Sequence, residues 1–89
     1  MKFYLYILKS TVKDKFYIGI SKNPYLRLDY HNTIEKGFTS RYRPWVIAFL
    51  EEFDSKTNAL KAERKIKSWK SKTMIKRLID KEIDIKDYI

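Results

Sequence analysis

The sequence predicts an α+β fold, a three-stranded antiparallel sheet flanked by helices in the order β-β-α-β-α-α. Three observations carry that prediction. Two aromatic and aliphatic runs, Phe3 to Leu8 and Phe16 to Ile20, flank a polar stretch, which is the pattern of a hairpin. A third run of this kind, Trp45 to Leu50, follows Pro44. Helix-start signals stand at Asn23-Pro24, at Ser55 and near Ser71.

Taken in order, Ser10 to Lys15 makes the turn of the hairpin. Asn23 caps a first helix that runs to about Asn32, with Pro24 at its first position, where a missing N–H costs nothing. Glu35 to Arg43, with Gly37, reads as a loop that Pro44 closes. Ser55 starts a helix reaching about Lys67, with Ala59, Ala62, Ile66 and Trp69 along its apolar stripe. The last helix carries Met74, Ile75, Leu78 and Ile79 on one side, and the tail from Ile83 to Ile89 fits no single pattern.

The 89 residues suit one domain, 1–89, and the 44% apolar content suffices for one core. Absence of cysteine excludes a disulfide scaffold and thiolate metal sites. The N-terminus lacks the long apolar run of a signal peptide, and no stretch approaches the roughly 20 apolar residues of a membrane span. The expectation is a cytoplasmic protein without membrane association.

Net charge is +9, from 20 Lys+Arg against 11 Asp+Glu. That excess favours a polyanion, with nucleic acid ahead of an anionic membrane surface. Lys61, Arg64, Lys65, Lys67, Lys70, Lys72, Lys76 and Arg77 crowd one region in which Glu63 is the only acid. The region is either a solvated helix face or a phosphate-facing surface.

In an antiparallel pair, residues of the two strands share a face when their numbers sum to the parity of the register. A loop of even length, such as one turning at Lys13-Asp14, makes that sum odd. Tyr4, Tyr6, Tyr17 and Gly19 then share one side, while Phe3, Leu5, Ile7, Phe16, Ile18 and Ile20 fill the other and form the core face. The tyrosines serve either as strand formers or as a cluster of phenols, and Gly19 points to something that approaches the backbone closely.

On the first helix Arg27 and the chain's single histidine, His31, are spaced i, i+4 and project from one side. A guanidinium grips a phosphate through paired hydrogen bonds. The histidine is either a capping residue or a group that orients or moves a proton. Glu63 lies about 40° from Ala59 on the helical wheel, inside the apolar stripe. A carboxylate there needs a partner, either in a salt bridge (for instance with Arg27) or as a metal ion.

Tyr4-Leu5-Tyr6, Tyr17-Ile18-Gly19, Arg27 with His31, and Glu63 on a later helix together resemble the signature of the GIY-YIG endonuclease family, in particular its short single-domain bacterial branch. Tyr4 to Ser10, Arg43-Pro44-Trp45, and Ala59 with Glu63-Arg64-Lys65 extend the likeness over most of the chain. Tyr4 stands where the family's first triplet has glycine, and no asparagine follows Glu63.

The resemblance implies a metal-dependent endonuclease hydrolysing phosphodiesters of nucleic acid, DNA first, with catalytic residues Tyr6, Tyr17, Arg27, His31 and Glu63. Glu63 would hold one Mg²⁺ (or Mn²⁺), which keeps several waters and takes further oxygens from substrate. Arg27 would neutralise phosphoryl charge and Tyr17 would activate or position water, with Tyr6 assisting. Gly19, Lys65, Lys67, Lys70 and Lys72 would contact nucleic acid. Without a separate recognition domain, targeting is expected from substrate structure or from a protein partner. Two rival readings are a nucleic-acid-binding module of this fold without catalysis, and a protein-docking domain using Tyr25, Tyr30, Phe38 and Tyr42.

Overall fold

The hairpin settles the rest of the architecture. The computed structural model describes residues 2–89. Strand β1 (Phe3–Ser10) pairs antiparallel with β2 (Phe16–Ser21), Tyr6 opposite Gly19 and Leu8 opposite Tyr17. The sum is odd, as expected. However, Lys9 pairs with Phe16, so the turn centres on Val12-Lys13 and not on Lys13-Asp14. Parity is unchanged by that shift, and every side chain keeps its face. Ser10 shapes the turn: its Oγ accepts from the N–H groups of Val12 (3.2 Å) and Lys13 (3.1 Å) and donates to the Tyr42 carbonyl at 2.7 Å.

Helix α1 (Pro24–Thr33) starts where expected, with Asn23 accepting from the Leu26 N–H at 3.1 Å. The segment read as a loop holds a short 3-10 helix, Phe38–Tyr42. Strand β3 (Trp45–Phe53) pairs with the other edge of β1, giving the order β2-β1-β3. It runs beyond the expected end at Leu50, because Glu51 and Glu52 both find partners. Tyr4 donates to Glu52 at 3.1 Å, and Lys86 lies 3.7 Å from Glu51. A bulge at Ile7/Leu8 shifts the register of β3.

Helix α2 (Lys56–Trp69) is capped by Ser55, and α3 (Lys72–Ile79) by Ser71, each side chain accepting an N–H at 3.2 Å. The ambiguous tail forms a second 3-10 helix, Ile85–Tyr88, that buries Ile85. Leu5 and Ile7 join Ala59, Ala62, Ile66, Ile75, Leu78 and Ile85 in the main core. On the opposite face Tyr6, Leu8 and Trp45 form a smaller cluster with Leu28 and Tyr42. Thus α2 and α3 cover one side of the sheet, and α1 with the first 3-10 helix covers the other. Among the described residues no helix is long and apolar enough to cross a membrane.

The end of α3 is a Schellman motif without its glycine. The Glu82 N–H bonds the Arg77 carbonyl (2.9 Å), the Lys81 N–H bonds that of Leu78 (3.1 Å), and Lys81 takes φ 61. A side chain in this left-handed conformation costs about 1 kcal/mol. Lys81→Gly is therefore expected to raise stability by about 0.5–1 kcal/mol, read as a higher urea midpoint at unchanged m-value.

Candidate active site

Strand alternation brings Tyr6 and Tyr17 to the α1 side of the sheet, with ring centroids 6.4 Å apart. Tyr6 is 1% exposed, and its ring lies over Gly19. A Cβ on Gly19 would meet Tyr6 Oη at 2.5 Å and Cζ at 2.6 Å. The close approach that Gly19 permits is thus made by the phenol, and Gly19 itself is buried. Tyr17 is only half-buried, so its hydroxyl is the more accessible of the two. Burial pushes the Tyr6 phenol above its ordinary pKa. The Arg27 guanidinium pulls it partway back, and the charges of Tyr17 and Glu63 push it up again.

His31 is not a surface cap. It is 1% exposed, with Nε2 3.3 Å from Tyr6 Oη and Nδ1 3.1 Å from Thr39 Oγ1. Its ring centroid lies 4.4 Å from that of Tyr17. Burial holds its pKa below the usual histidine value, aided by the positive charges of Arg27 and Arg43 and opposed by Glu35. The unfolded chain therefore takes up this proton more readily than the folded one, and stability falls as pH drops from about 6.5 toward the lower folded-state pKa. Stability followed by urea unfolding between pH 7.5 and 5 should show that loss. His31→Gln should flatten this part of the curve.

Three residues around the site support this arrangement, two of them, Arg43 and Trp45, from the Arg43-Pro44-Trp45 run noted in the sequence. The Arg43 Nε–H donates to the His31 carbonyl at 2.7 Å, and Arg43 also bonds the Glu35 carbonyl, tying down the end of α1. The Trp45 indole N–H donates to the Thr39 carbonyl at 2.7 Å, while Asn32 brackets the Trp45 backbone with bonds of 2.7 and 3.1 Å.

Arg27 lies with Cζ 4.4 Å from the Tyr30 ring centre, and among the described residues it has no acidic partner. It can therefore offer its charge to a ligand. Glu63 comes from the helix on the opposite side of the sheet, yet its charge is felt at Tyr6. Its side chain is 18% exposed, and it pairs not with Arg27 but with Lys67 one turn on, at 3.3 Å. That lysine is 57% exposed, and such an i, i+4 pair is worth only about 0.3–0.5 kcal/mol. A divalent cation competes easily against so weak a bond, so the carboxylate fits the single-ligand Mg²⁺ site. Among the described residues no group of three or more His, Cys, Asp or Glu gathers as a metal site.

The basic residues divide into two sets. Lys65 and Lys70 carry no ion pair among the described residues, whereas Lys67 is tied to Glu63. Lys72 reaches Asp14 of the hairpin turn at 3.6 Å, and Lys76 reaches it at 3.5 Å. Lys72 thus clamps the turn to α3, a long-range pairing invisible in local charge patterning.

Two phenols, an imidazole, a guanidinium without an acidic partner among the described residues and a weakly held carboxylate thus stand on one small α+β domain. The GIY-YIG catalytic domain model matches residues 2–77, and the chain belongs to that family. It therefore carries a GIY-YIG catalytic domain. The chain is 47% identical over 66 residues to the structure-specific endonuclease subunit SLX1 of Podospora anserina, covering 66% of this chain but 19% of that protein. The chain thus spans about a fifth of such fungal relatives. It is 31% identical over 87 residues to a UPF0213 protein of Limosilactobacillus reuteri, covering 94% of this chain and 90% of the relative. The solution structure of a UPF0213 protein from Bacillus halodurans has the same fold, with TM-score 0.58 at 22% identity over 90% of this chain and 84% of that one.

Proposed function

We propose that this chain is a metal-dependent endonuclease that hydrolyses phosphodiester bonds of DNA with low intrinsic sequence specificity. The observation that carries the reading is the gathering of Tyr6, Tyr17, His31 and Arg27 on one side of the sheet within the electrostatic reach of Glu63.

Glu63 would hold one Mg²⁺ (or Mn²⁺), which supplies Lewis-acid polarisation of the scissile phosphate when bound. The other groups act directly. Arg27, without an acidic partner, neutralises the phosphoryl oxygens as negative charge develops. Tyr17, the accessible phenol, positions the attacking water and accepts hydrogen bonding from it. Tyr6 is buried and its pKa raised, so it acts as a neutral hydrogen-bonding group beside Tyr17 and not as a free phenolate. Water forms the new bond to phosphorus, and the bond from phosphorus to the leaving sugar oxygen breaks. Lys65 and Lys70 contact flanking phosphates, with Lys67 and Lys72 joining once Glu63 and Asp14 release them.

Such contacts carry no sequence information. Targeting would therefore come from substrate structure or from a protein partner, and the fungal relatives, named as endonuclease subunits, support the latter.

The test is a cleavage panel of branched, single-stranded and duplex DNA with Mg²⁺, with Mn²⁺ and with chelator. Metal-dependent cutting is expected, with branched DNA the best substrate. Salt-sensitive binding to DNA without cutting under any metal would replace this reading with that of a catalytically inactive binding module, in which Glu63 simply pairs with Lys67.

A further inference from the structure

The chemistry at His31 turns on which ring nitrogen carries its proton, and a residue outside the catalytic set decides that. Tyr6, His31 and Thr39 are each 1% exposed and form a line, Tyr6 Oη to Nε2 at 3.3 Å and Nδ1 to Thr39 Oγ1 at 3.1 Å. Burial and two nearby guanidinium charges keep the imidazole neutral at pH 7. A neutral imidazole has one N–H to serve two contacts, so one nitrogen donates and the other accepts.

The hydroxyl of Thr39 breaks the tie. Elsewhere in the chain, side-chain hydroxyls reach back to carbonyls four residues earlier: Thr33 to Asp29 at 2.6 Å and Ser40 to Lys36 at 3.1 Å. Among the described residues Thr39 makes no such bond, and His31 Nδ1 is the one partner of its hydroxyl. If Nδ1 carried the proton, the Thr39 hydroxyl hydrogen would be sealed in without an acceptor among the described residues, an unfavourable state for a buried donor. The hydroxyl of Tyr6 has more varied surroundings: its ring neighbours the half-buried Tyr17, centroids 6.4 Å apart, and the Arg27 and Glu63 charges act on it.

We infer that Thr39 is a positioning residue that donates its hydroxyl to His31 Nδ1, fixes the proton on Nε2, and thereby makes His31 a hydrogen-bond donor to Tyr6 Oη. His31 then supplies no base to Tyr6. Instead it braces the phenol oxygen and turns the phenol's own hydrogen toward the reacting groups. The 3-10 helix Phe38–Tyr42 is the device that holds the threonine there, anchored by the Trp45 indole on the Thr39 carbonyl at 2.7 Å. The assignment of the proton rests on the hydrogen-bond geometry and burial of Tyr6, His31 and Thr39, and its catalytic consequence rests on the nuclease reading above.

Because His31 is the only histidine, a long-range proton–nitrogen NMR spectrum of the ¹⁵N-labelled chain reads its tautomer without assignment. At pH 7.5 the protonated nitrogen is expected to couple to both carbon-bound ring hydrogens, the pattern of Nε2–H. Thr39→Val keeps the side-chain shape and removes the hydroxyl. It should move the unprotonated nitrogen downfield, and Thr39→Ser should restore it. In cleavage assays Thr39→Val should lose about tenfold in kcat with KM unchanged, and Thr39→Ser should recover it. An Nδ1–H pattern in the wild type, or an unmoved nitrogen resonance in Thr39→Val, would overturn the inference. The wild-type spectrum alone decides the tautomer if Thr39→Val does not fold. The expected spectra from a protein that cuts nothing would leave this inference standing and remove the nuclease reading instead.

Discussion

Glu63→Gln is expected to lower cleavage about a thousandfold while leaving fold and DNA binding nearly intact. The substitution keeps the size and one oxygen but removes the charge that would hold a divalent cation. Stability changes little, because the one ion pair lost among the described residues is the i, i+4 pair with Lys67, worth under about 0.5 kcal/mol. Affinity for DNA, measured with chelator present, should be equal or slightly higher, since a negative charge leaves a basic surface and Lys67 is freed. Single-turnover cleavage and fluorescence anisotropy, run on the two proteins side by side, separate these effects. Equal cleavage rates would remove Glu63 from the chemistry.

The second large effect is expected at Gly19. In Gly19→Ala the new methyl would stand 2.5 Å from Tyr6 Oη, well inside contact distance. The phenol cannot swing aside cheaply. It is buried, packed with Leu8 and Trp45, and joined to His31 at 3.3 Å. Overpacking a buried ring costs about 1–3 kcal/mol, while replacing glycine in a strand returns about 0.5–1 kcal/mol, so a net loss of about 1–2 kcal/mol is expected. Activity should fall further than stability, because the displaced group is the one His31 braces. Urea unfolding gives the first quantity, and cleavage at a temperature where the variant is fully folded gives the second. An alanine variant as stable and active as the parent would mean that Tyr6 has room the structure does not show.

What the sequence made legible follows strict periods and caps. Strand alternation placed Tyr6 and Tyr17 together and Leu5 and Ile7 in the core, and it did so even though the turn centre lies one residue earlier than expected. Asn23, Ser55 and Ser71 cap helices because a short side-chain oxygen there satisfies a free N–H, a strictly local interaction. Whatever depended on distant partners stayed hidden. A 3-10 helix as short as Phe38–Tyr42 has too few residues to show a period, so Thr39 did not announce itself, and Arg43, legible only within the Arg43-Pro44-Trp45 run, gave no sign of its bracing role. The burial of His31 is set by elements well beyond its own helix. The partner of Glu63 lay on its own helix and not on Arg27, and Lys72 was taken up by Asp14, 58 positions away.

The central strand has one last consequence. β1 is bonded along both edges and packed on both sides, Leu5 and Ile7 one way and Tyr6 and Leu8 the other. A slip of one residue against either neighbour would trade greasy side chains for phenols. In this chain misassembly and loss of chemistry are therefore a single event. A molecule of this chain with exposed aliphatic strand surface is thus also one whose tyrosines have left the α1 side of the sheet.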